Sequence, residues 1–522
     1  MVPFRIVVLC FACLRALGET YFVSPEGSDS NSGLSQEAAW KSIEHVNARQ
    51  FKPGDSLLFK GGGRFAGTLR LGPDDSGSSE KLVTVASFGD GAARIDAGRA
   101  GGIEVMGTEH LCISNLVVSG AGALSNDSSG IRIFNTRANE RSVGIILDSL
   151  DVSGFGEHGI FVSGTSLGYE NVLIARSAVH ANRKGGIEVA GKLSWDSPLY
   201  AHKNVTISEC SSYDNTGDSR IFDKHTGSGI VLYQVDHGRI EHSAAWNNGA
   251  DCPAPNAGPV GIWTCASRKV VIEFCESFKN SSRGLDGGGF DLDGGSEDCI
   301  LQYNYSHDNK GPGLMVYTYP YSSHHDRSSI VRFNISVDDA AQSERYGGLW
   351  VRADGNPIEK LQIHNNTVIT DGPHAAFLEL NNVEAVVENN IFLSDSNGIP
   401  FRAIAAGGPG AYVVAGNWYW RSGAPFAAQW NDARLSSLAE LEALGSNTSG
   451  TARFEDPQIN WAMPNLPAPF KGFYRLTQFR PLNHSAYDSA RHFASVSPVP
   501  LRDFLGRQLK LSDSMPYGAA GR

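Results

Sequence analysis

An all-β solenoid, one elongated body of stacked coils, is the fold class this sequence predicts, and three observations carry that expectation. The first is a returning phrase in which a short apolar strand ends in Asn and a Gly-led strand follows. The Asn copies are Asn182, Asn215, Asn248, Asn280 and Asn309, spaced by 33, 33, 32 and 29 residues. Self-similarity at 20–50 residues is the mark of a repeat architecture. The second is the form of the Gly-led strands, as in Gly186-Ile187-Glu188-Val189, Gly229-Ile230-Val231-Leu232 and Gly289-Phe290-Asp291-Leu292. They alternate with period two, whereas a helical repeat would show i, i+3, i+4 spacing. The third is composition: 59 Gly, many short Val/Ile runs and only 19% charged residues suit strands and turns.

Taken in order, residues 1–18 read as a signal peptide. Arg5 precedes the apolar run Ile6 to Leu14, and Ala16-Leu17-Gly18 offers small residues for cleavage before Glu19. The run is too short to span a bilayer, and no other stretch approaches 18 apolar residues. Residues 19–95 are expected to form an N-terminal cap and first coils, with a strand at Tyr21-Phe22-Val23, a short helix after Trp40 and a tight turn at Lys52-Pro53-Gly54-Asp55. Residues 96–420 carry the repeat. Residues 421–522 lose it and form an irregular appendage with a helix expected over 434–444. At the corners, Asn amides are expected to bond their copies in adjacent coils, and Gly to supply the positive φ of sharp turns.

Six cysteines follow the leader: Cys112, Cys210, Cys252, Cys265, Cys275 and Cys299. Their spacing gives no zinc motif. Cys210 and Cys275 each precede a repeat Asn by five residues, so they share a column two coils apart, too far to bond. Cys252 and Cys265 are the pair that closing a loop would join. Net charge is −11, with no basic stripe, which excludes a nucleic-acid surface.

The chain resembles the secreted right-handed parallel β-helix proteins of the pectate-lyase-like superfamily. The opening YFVSPEGSDSNSG…AAWKSIEHVN…KPGDSLLFKGG, the Asn–Gly turns and the block DGGGFDLDGGSEDCILQYNYSHDNKGPGLMVY carry the resemblance, over roughly residues 20–400. It implies a right-handed parallel β-helix. It does not choose a chemistry, because that superfamily holds lyases, hydrolases, epimerases and non-catalytic modules. Lys-based pectate lyases of this kind carry a Gly-Phe-Lys strand where this chain has Gly289-Phe290-Asp291. The Gly-His-Gly element of polygalacturonases is absent from the sequence.

Aligning the Gly-led strands yields two outward columns. One reads Arg132, Phe161, Glu188, Val231, Trp263, Asp291, Met315 and Trp350; the other reads Phe134, Ser163, Ala190, Tyr233, Cys265, Asp293, Tyr317 and Arg352. Aromatic faces with carboxylates along one wall suit sugar rings. Positions i and i+2 share a face, so Asp291 and Asp293 form a candidate acid/base pair for glycoside hydrolysis. Glu188, Tyr233, Trp263, Tyr317 and Trp350 form the sugar platform, and Arg352 is an anion clamp or, in a β-eliminating lyase, a base.

The function expected is a secreted, extracellular or periplasmic, monomeric glycoside hydrolase acting on a polysaccharide without a cofactor. The alternatives are a Ca²⁺-assisted lyase, with Asp286, Asp291 and Asp293 as ligands, and a non-catalytic carbohydrate-binding solenoid. His307-Asp308 reads as structural. His324-His325-Asp326, with Tyr317, Tyr319 and Tyr321, lies in an insertion expected to rim the groove, and Trp195 is a second stacking candidate in the insertion 190–203.

Overall fold

The computed structural model describes residues 18–320, 323–406, 411–445 and 452–457. They form a right-handed parallel β-solenoid of about 13 turns. The expected leader, except Gly18, and the appendage beyond residue 457 lie outside the described residues, as does Tyr321. A typical coil runs from Gly185–Ala190 to His202–Ser208, then Ser211–Tyr213, and re-enters the first face at Ser228–Tyr233. The first strand of each coil stacks into one 14-stranded sheet, the functional face; the other two build a bent sheet of 27 described strands. Ile187, Ile230, Ile262, Phe290, Leu314 and Leu349 all point inward and are buried.

At the N-terminal end, Thr20–Val23 pairs in parallel with Ser56–Lys60, so the stack begins almost at once. Helix Ile43–Asn47 covers the open core with Ile43 and Val46, its Ser42 N-cap accepting from the His45 backbone N–H. At the other end the helix is Leu438–Gly445. Arg434 and Leu435, expected within it, instead lie in a strand Ala433–Leu435, antiparallel to Ala428–Trp430.

Coil-to-coil register is held at the corners. The backbone N–H and Nδ2 of Asn182 both donate to Oδ1 of Asn215, each at 3.1 Å, and Asn215, Asn248 and Asn280 repeat the pattern up to Asn309. The series ends on a carboxylate, Asp339, which accepts from the backbone N–H and Nδ2 of Asn309 and from Ser336 Oγ. A second series, not evident in the spacing, runs Asn304, Asn334, Asn366, Asn390 and Asn417 along the neighbouring corner. Cys275 donates its backbone N–H into that series, and Cys210 sits two coils earlier with Ser243 between them.

Two expectations need correction. Positive φ at these corners belongs to the residue before each ladder Asn, such as Ala181, Asp214, Asn247, Lys279 and Asp308, all between 53° and 56°. The Gly that leads the next strand is required for space instead. A Cβ at Gly261 would lie 2.0 Å from Ser277 Oγ and 2.6 Å from Asn280 Nδ2, and one at Gly186 would lie 1.9 Å from Ser212 Oγ. The second correction is that Cys252 and Cys265 do not pair; all six described thiols are free. Cys265 Sγ instead lies 2.6 Å from the Tyr319 hydroxyl.

Burial pushes Asp339 up from the ordinary 3.8 to about 6, against the pull of its Ser and Asn donors. A carboxyl bound more tightly to its proton in the fold contributes stability that is full below 3.8 and lost as pH rises through about 6. Asp339→Asn removes that loss and restores the amide found at every earlier rung. Thermal unfolding at pH 7 is expected to show the variant more stable by about 1–3 kcal/mol, with the gain vanishing at low pH.

Candidate functional site

Strand pairing aligns the first column as expected: Arg132 with Phe161, then Glu188, Val231, Trp263, Asp291, Met315 and Trp350 are consecutive register partners. In the second, Tyr233 pairs with Cys265 and Tyr317 with Arg352. Asp293 lies just past its strand, its N–H donating to Thr264 O at 2.9 Å. The columns floor a canyon of about 800 Å³ lined by the candidates Glu188, Tyr233, Trp263, Asp286, Asp291, Asp293, Tyr317, Trp350 and Arg352, but not by His324, His325 or Asp326. Residues before the strands, among them His225, Gly258 and Tyr346, wall one side; Trp195 and Tyr319, after the strands, wall the other.

Three carboxyl groups meet in the canyon under different conditions. Asp291 is 1% exposed, set between Trp263 and Met315 on the strand. Burial, then the nearby charges of Asp293, Asp286 and Asp326, hold its pKa far above the ordinary range and favour the neutral acid. Asp293 is half-buried, and burial raises it to about 7 while the Gly294 N–H pulls it back. Asp286 is half-buried too, and burial raises it, but both its oxygens have donors. The Tyr346 hydroxyl donates to Oδ1 at 2.8 Å and the Gly258 N–H to Oδ2 at 2.9 Å. Those donors favour the anion.

The aromatic groups are arranged around these acids. Tyr317 stacks on Trp350 at 5.7 Å, and Tyr346 meets the same indole edge-on at 5.0 Å. Trp195 packs against Tyr233 at 5.5 Å and edge-on to Tyr319 at 5.2 Å. The buried indole nitrogens of Trp263 and Trp350, and one buried oxygen each of Asp291 and Asp293, have no hydrogen-bond partner. Buried polar atoms left unpaired are costly. Four of them around one cavity mark where a hydroxyl-rich molecule would complete the bonding.

Several candidates are already engaged. Arg352 faces Glu379 at 3.3 Å and Asp354 at 3.6 Å, so its charge is neutralised inside the protein. Glu188 pairs with His158 at 3.0 Å. Burial disfavours both charges, yet the pair overrides it, raising His158 and lowering Glu188. His307 lies away from the canyon, against Asp308 at 2.7 Å and stacked on Phe278 at 4.7 Å, as a structural residue. His324 stacks on Tyr200 at 4.4 Å.

Among the described residues, no group of three His, Cys, Asp or Glu is placed to hold a metal ion. Both oxygens of Asp286 already accept a hydrogen bond, so Ca²⁺ at these three aspartates would have to displace the Tyr346 and Gly258 donors. Tyr346 and His225 escaped the sequence reading because they stand in coil-connecting loops, outside any column. Their one signal is position, a few residues before the Gly-led strands of the central coils.

Residues 129–330 match the family model described as a right handed beta helix region. The chain is 24% identical to the lacto-N-biosidase of Bifidobacterium longum subsp. longum over 484 residues, covering 74% of this chain and 29% of that protein. It therefore spans under a third of that relative's length. Among solved structures, the GH136 lacto-N-biosidase from Eubacterium ramulus is similar with a TM-score of 0.52 at 18% identity, covering 79% of this chain and 66% of that one. Its selenomethionine derivative gives 0.50 at 17%, covering 84% and 67%. At that identity the structural likeness is one of fold.

The Tyr346 hydroxyl lowers the Asp286 pKa, so Tyr346→Phe is expected to raise it. Carboxyl carbon NMR titration of the variant, read against Asp286→Asn for assignment, should show the Asp286 transition moved to higher pH with Asp339 unchanged.

Proposed function

We propose that this chain is a glycoside hydrolase that cleaves a glycan in the canyon. The observation that carries the reading is the division of labour among the three carboxyls beneath an aromatic wall with unpaired indole N–H groups. Asp293, raised to about 7 by burial, keeps its proton at mild pH and serves as general acid. It gives that proton to the glycosidic oxygen as the C–O bond breaks. Asp286, open to the canyon and with two donors that favour its anion, faces the developing positive charge at the anomeric carbon, where water forms the new C–O bond and passes its proton to this carboxylate. Its greater exposure favours it over Asp291 as the partner of Asp293. Asp291, neutral between them, acts as a hydrogen-bond donor to substrate.

The negative charge of Asp286, joined by Asp293 once that group loses its proton, disfavours a uronate at this point, which weighs against the lyase alternative. The canyon stops two coils past Asp291, because the next outward residue, Phe377, is covered by the Arg402 guanidinium at 4.2 Å. The floor beyond Asp291 is thus about 10 Å long, room for about two pyranose rings. A glycan end, entered from its tip, fits this shape. The relatives' name makes glycans ending in lacto-N-biose the first substrates to try. The apolar run at residues 6–14 supports export, with the reaction outside the cytoplasm.

Asp293→Asn and Asp286→Asn are each expected to lower turnover by about 10²–10⁴-fold with unfolding temperature retained. Products should carry new reducing ends without the ultraviolet absorbance of an unsaturated uronate; that absorbance would sink the hydrolase reading. For the parent, kcat/KM should fall as pH rises past about 7, where Asp293 loses its proton. Sequencing of exported protein should find Glu19 first. Its backbone nitrogen already lies 2.8 Å from Asp55 Oδ1, so the freed ammonium would meet a buried carboxylate. A mature start elsewhere would remove that assignment.

A further inference from the structure

A glycan whose tip fills the closed end of the canyon has to leave by the other end, along the column from Asp291 through Trp263, Val231, Glu188 and Phe161 to Arg132. Those five coil steps cover about 24 Å at strand spacing. We propose that Arg132, Phe134, Ser163 and Lys192 there form a distal subsite for a sugar carrying a carboxylate or sulfate. The proposal rests on the glycan-hydrolase reading of the canyon, and it makes the substrate neutral where it is cut and anionic further along.

Four observations support it. The Arg132 guanidinium lies 4.6 Å and the Lys192 ammonium 5.0 Å from the centroid of the same Phe134 ring. The ring quadrupole attracts each cation, while the cations repel one another. An anion beside the ring would be attracted by both charges and so offset the repulsion. Next, neither cation has an ion pair among the described residues. Glu104, the register neighbour of Arg132, has its carboxylate on Arg70 at 3.2 Å. Third, Ser163 is the register partner of Phe134, fully buried and lining the canyon, and its Oγ has no hydrogen-bond partner. A hydroxyl beside two cations is a donor suited to an anionic oxygen. Finally, the chain as a whole carries −11, so two cations without ion pairs are a local feature here and not part of a general basic surface.

Affinity electrophoresis of the full chain tests this without needing turnover. Asp293→Asn protein, which leaves the polymer intact, is run through gels holding dextran sulfate, polygalacturonate or unmodified dextran. Retardation by a charged polymer and not by dextran is expected, and whichever of the two charged polymers retards more names the anionic group. Adding Arg132→Ala and Lys192→Ala should weaken the apparent dissociation constant about tenfold. Phe134→Leu, which removes the ring and keeps both cations, should weaken it as well. In the catalytically intact chain, Arg132→Ala should leave hydrolysis of a short neutral oligosaccharide unchanged. No retardation by either charged polymer, or equal retardation with and without the two cations, overturns the subsite. Failure of the hydrolase reading looks different: no reducing ends appear from any glycan, while the retardation pattern stands.

Discussion

One repeated bond governs the molecule: an Asn side-chain oxygen that receives two N–H groups from the coil before it. Each such rung fixes where one coil lies on the next. In a strand stack, a slip of one residue turns every inward side chain outward. Had the coil of Gly288–Leu292 slipped, Phe290 and Leu292 would face water and Asp291 would be driven into the core. The inward Ser that accompanies the rung completes the constraint, and the Gly that opens each strand is the space they leave. Sequence motif, corner geometry and face register are therefore a single arrangement.

The repeat made the architecture readable because solenoid order is local: each coil contacts only its neighbours, so period and alternation carry most of the information. The same logic brought Trp263, Asp291 and Trp350 onto one wall before any coordinates. Glycine does supply positive φ in the connecting turns, as at Gly217, Gly249 and Gly287, but the strand-leading glycines are required for space. Conformational freedom and lack of a Cβ give the same letter, and only the positions of Ser277 and Asn280 tell them apart. The second Asn series was hidden because its earlier rungs are Ser243 and Cys275. Tyr346 and His225 were hidden because loop residues obey no period. Nor can a column tell which of several aspartates is open to solvent. Asp286, grouped at first only as an ion ligand, gained weight from two donors contributed by loops some 28 and 60 residues away in sequence.

Like charges gathered in a half-dry canyon oppose folding, and the groups here stay because their protonation states differ. Protons held on Asp291 and Asp293 beside Asp286 cost less than three buried anions, and the raised pKa values follow first from burial and, for Asp291 and Asp293, from the neighbouring carboxylates. Unpaired indole nitrogens at Trp263 and Trp350 add to the cost. Such local violations of good packing are expected where a ligand completes the bonding.

The scaffold beneath the site shows how that cost is carried. The first Asn series runs from Asn182 to Asp339 and the second from Asn304 to Asn417, so Asn or Asp rungs stand at both corners on two coils, while earlier coils carry Ser243 and Cys275 at the second corner. One of those coils contains Asp291 with Asn304 and Asn309; the next contains Met315 and Tyr317 with Asn334 and Asp339. These are the coils that present Asp291, Asp293 and Tyr317, with Trp350 on the coil that follows. On these two coils both corners are bonded by a side chain that accepts one or two N–H groups from the coil before. A site that works by positioning carboxyls around one bond loses rate steeply for displacements near 1 Å, roughly 10²-fold. The doubled rungs thus fall where the chemistry proposed for this face tolerates the least movement.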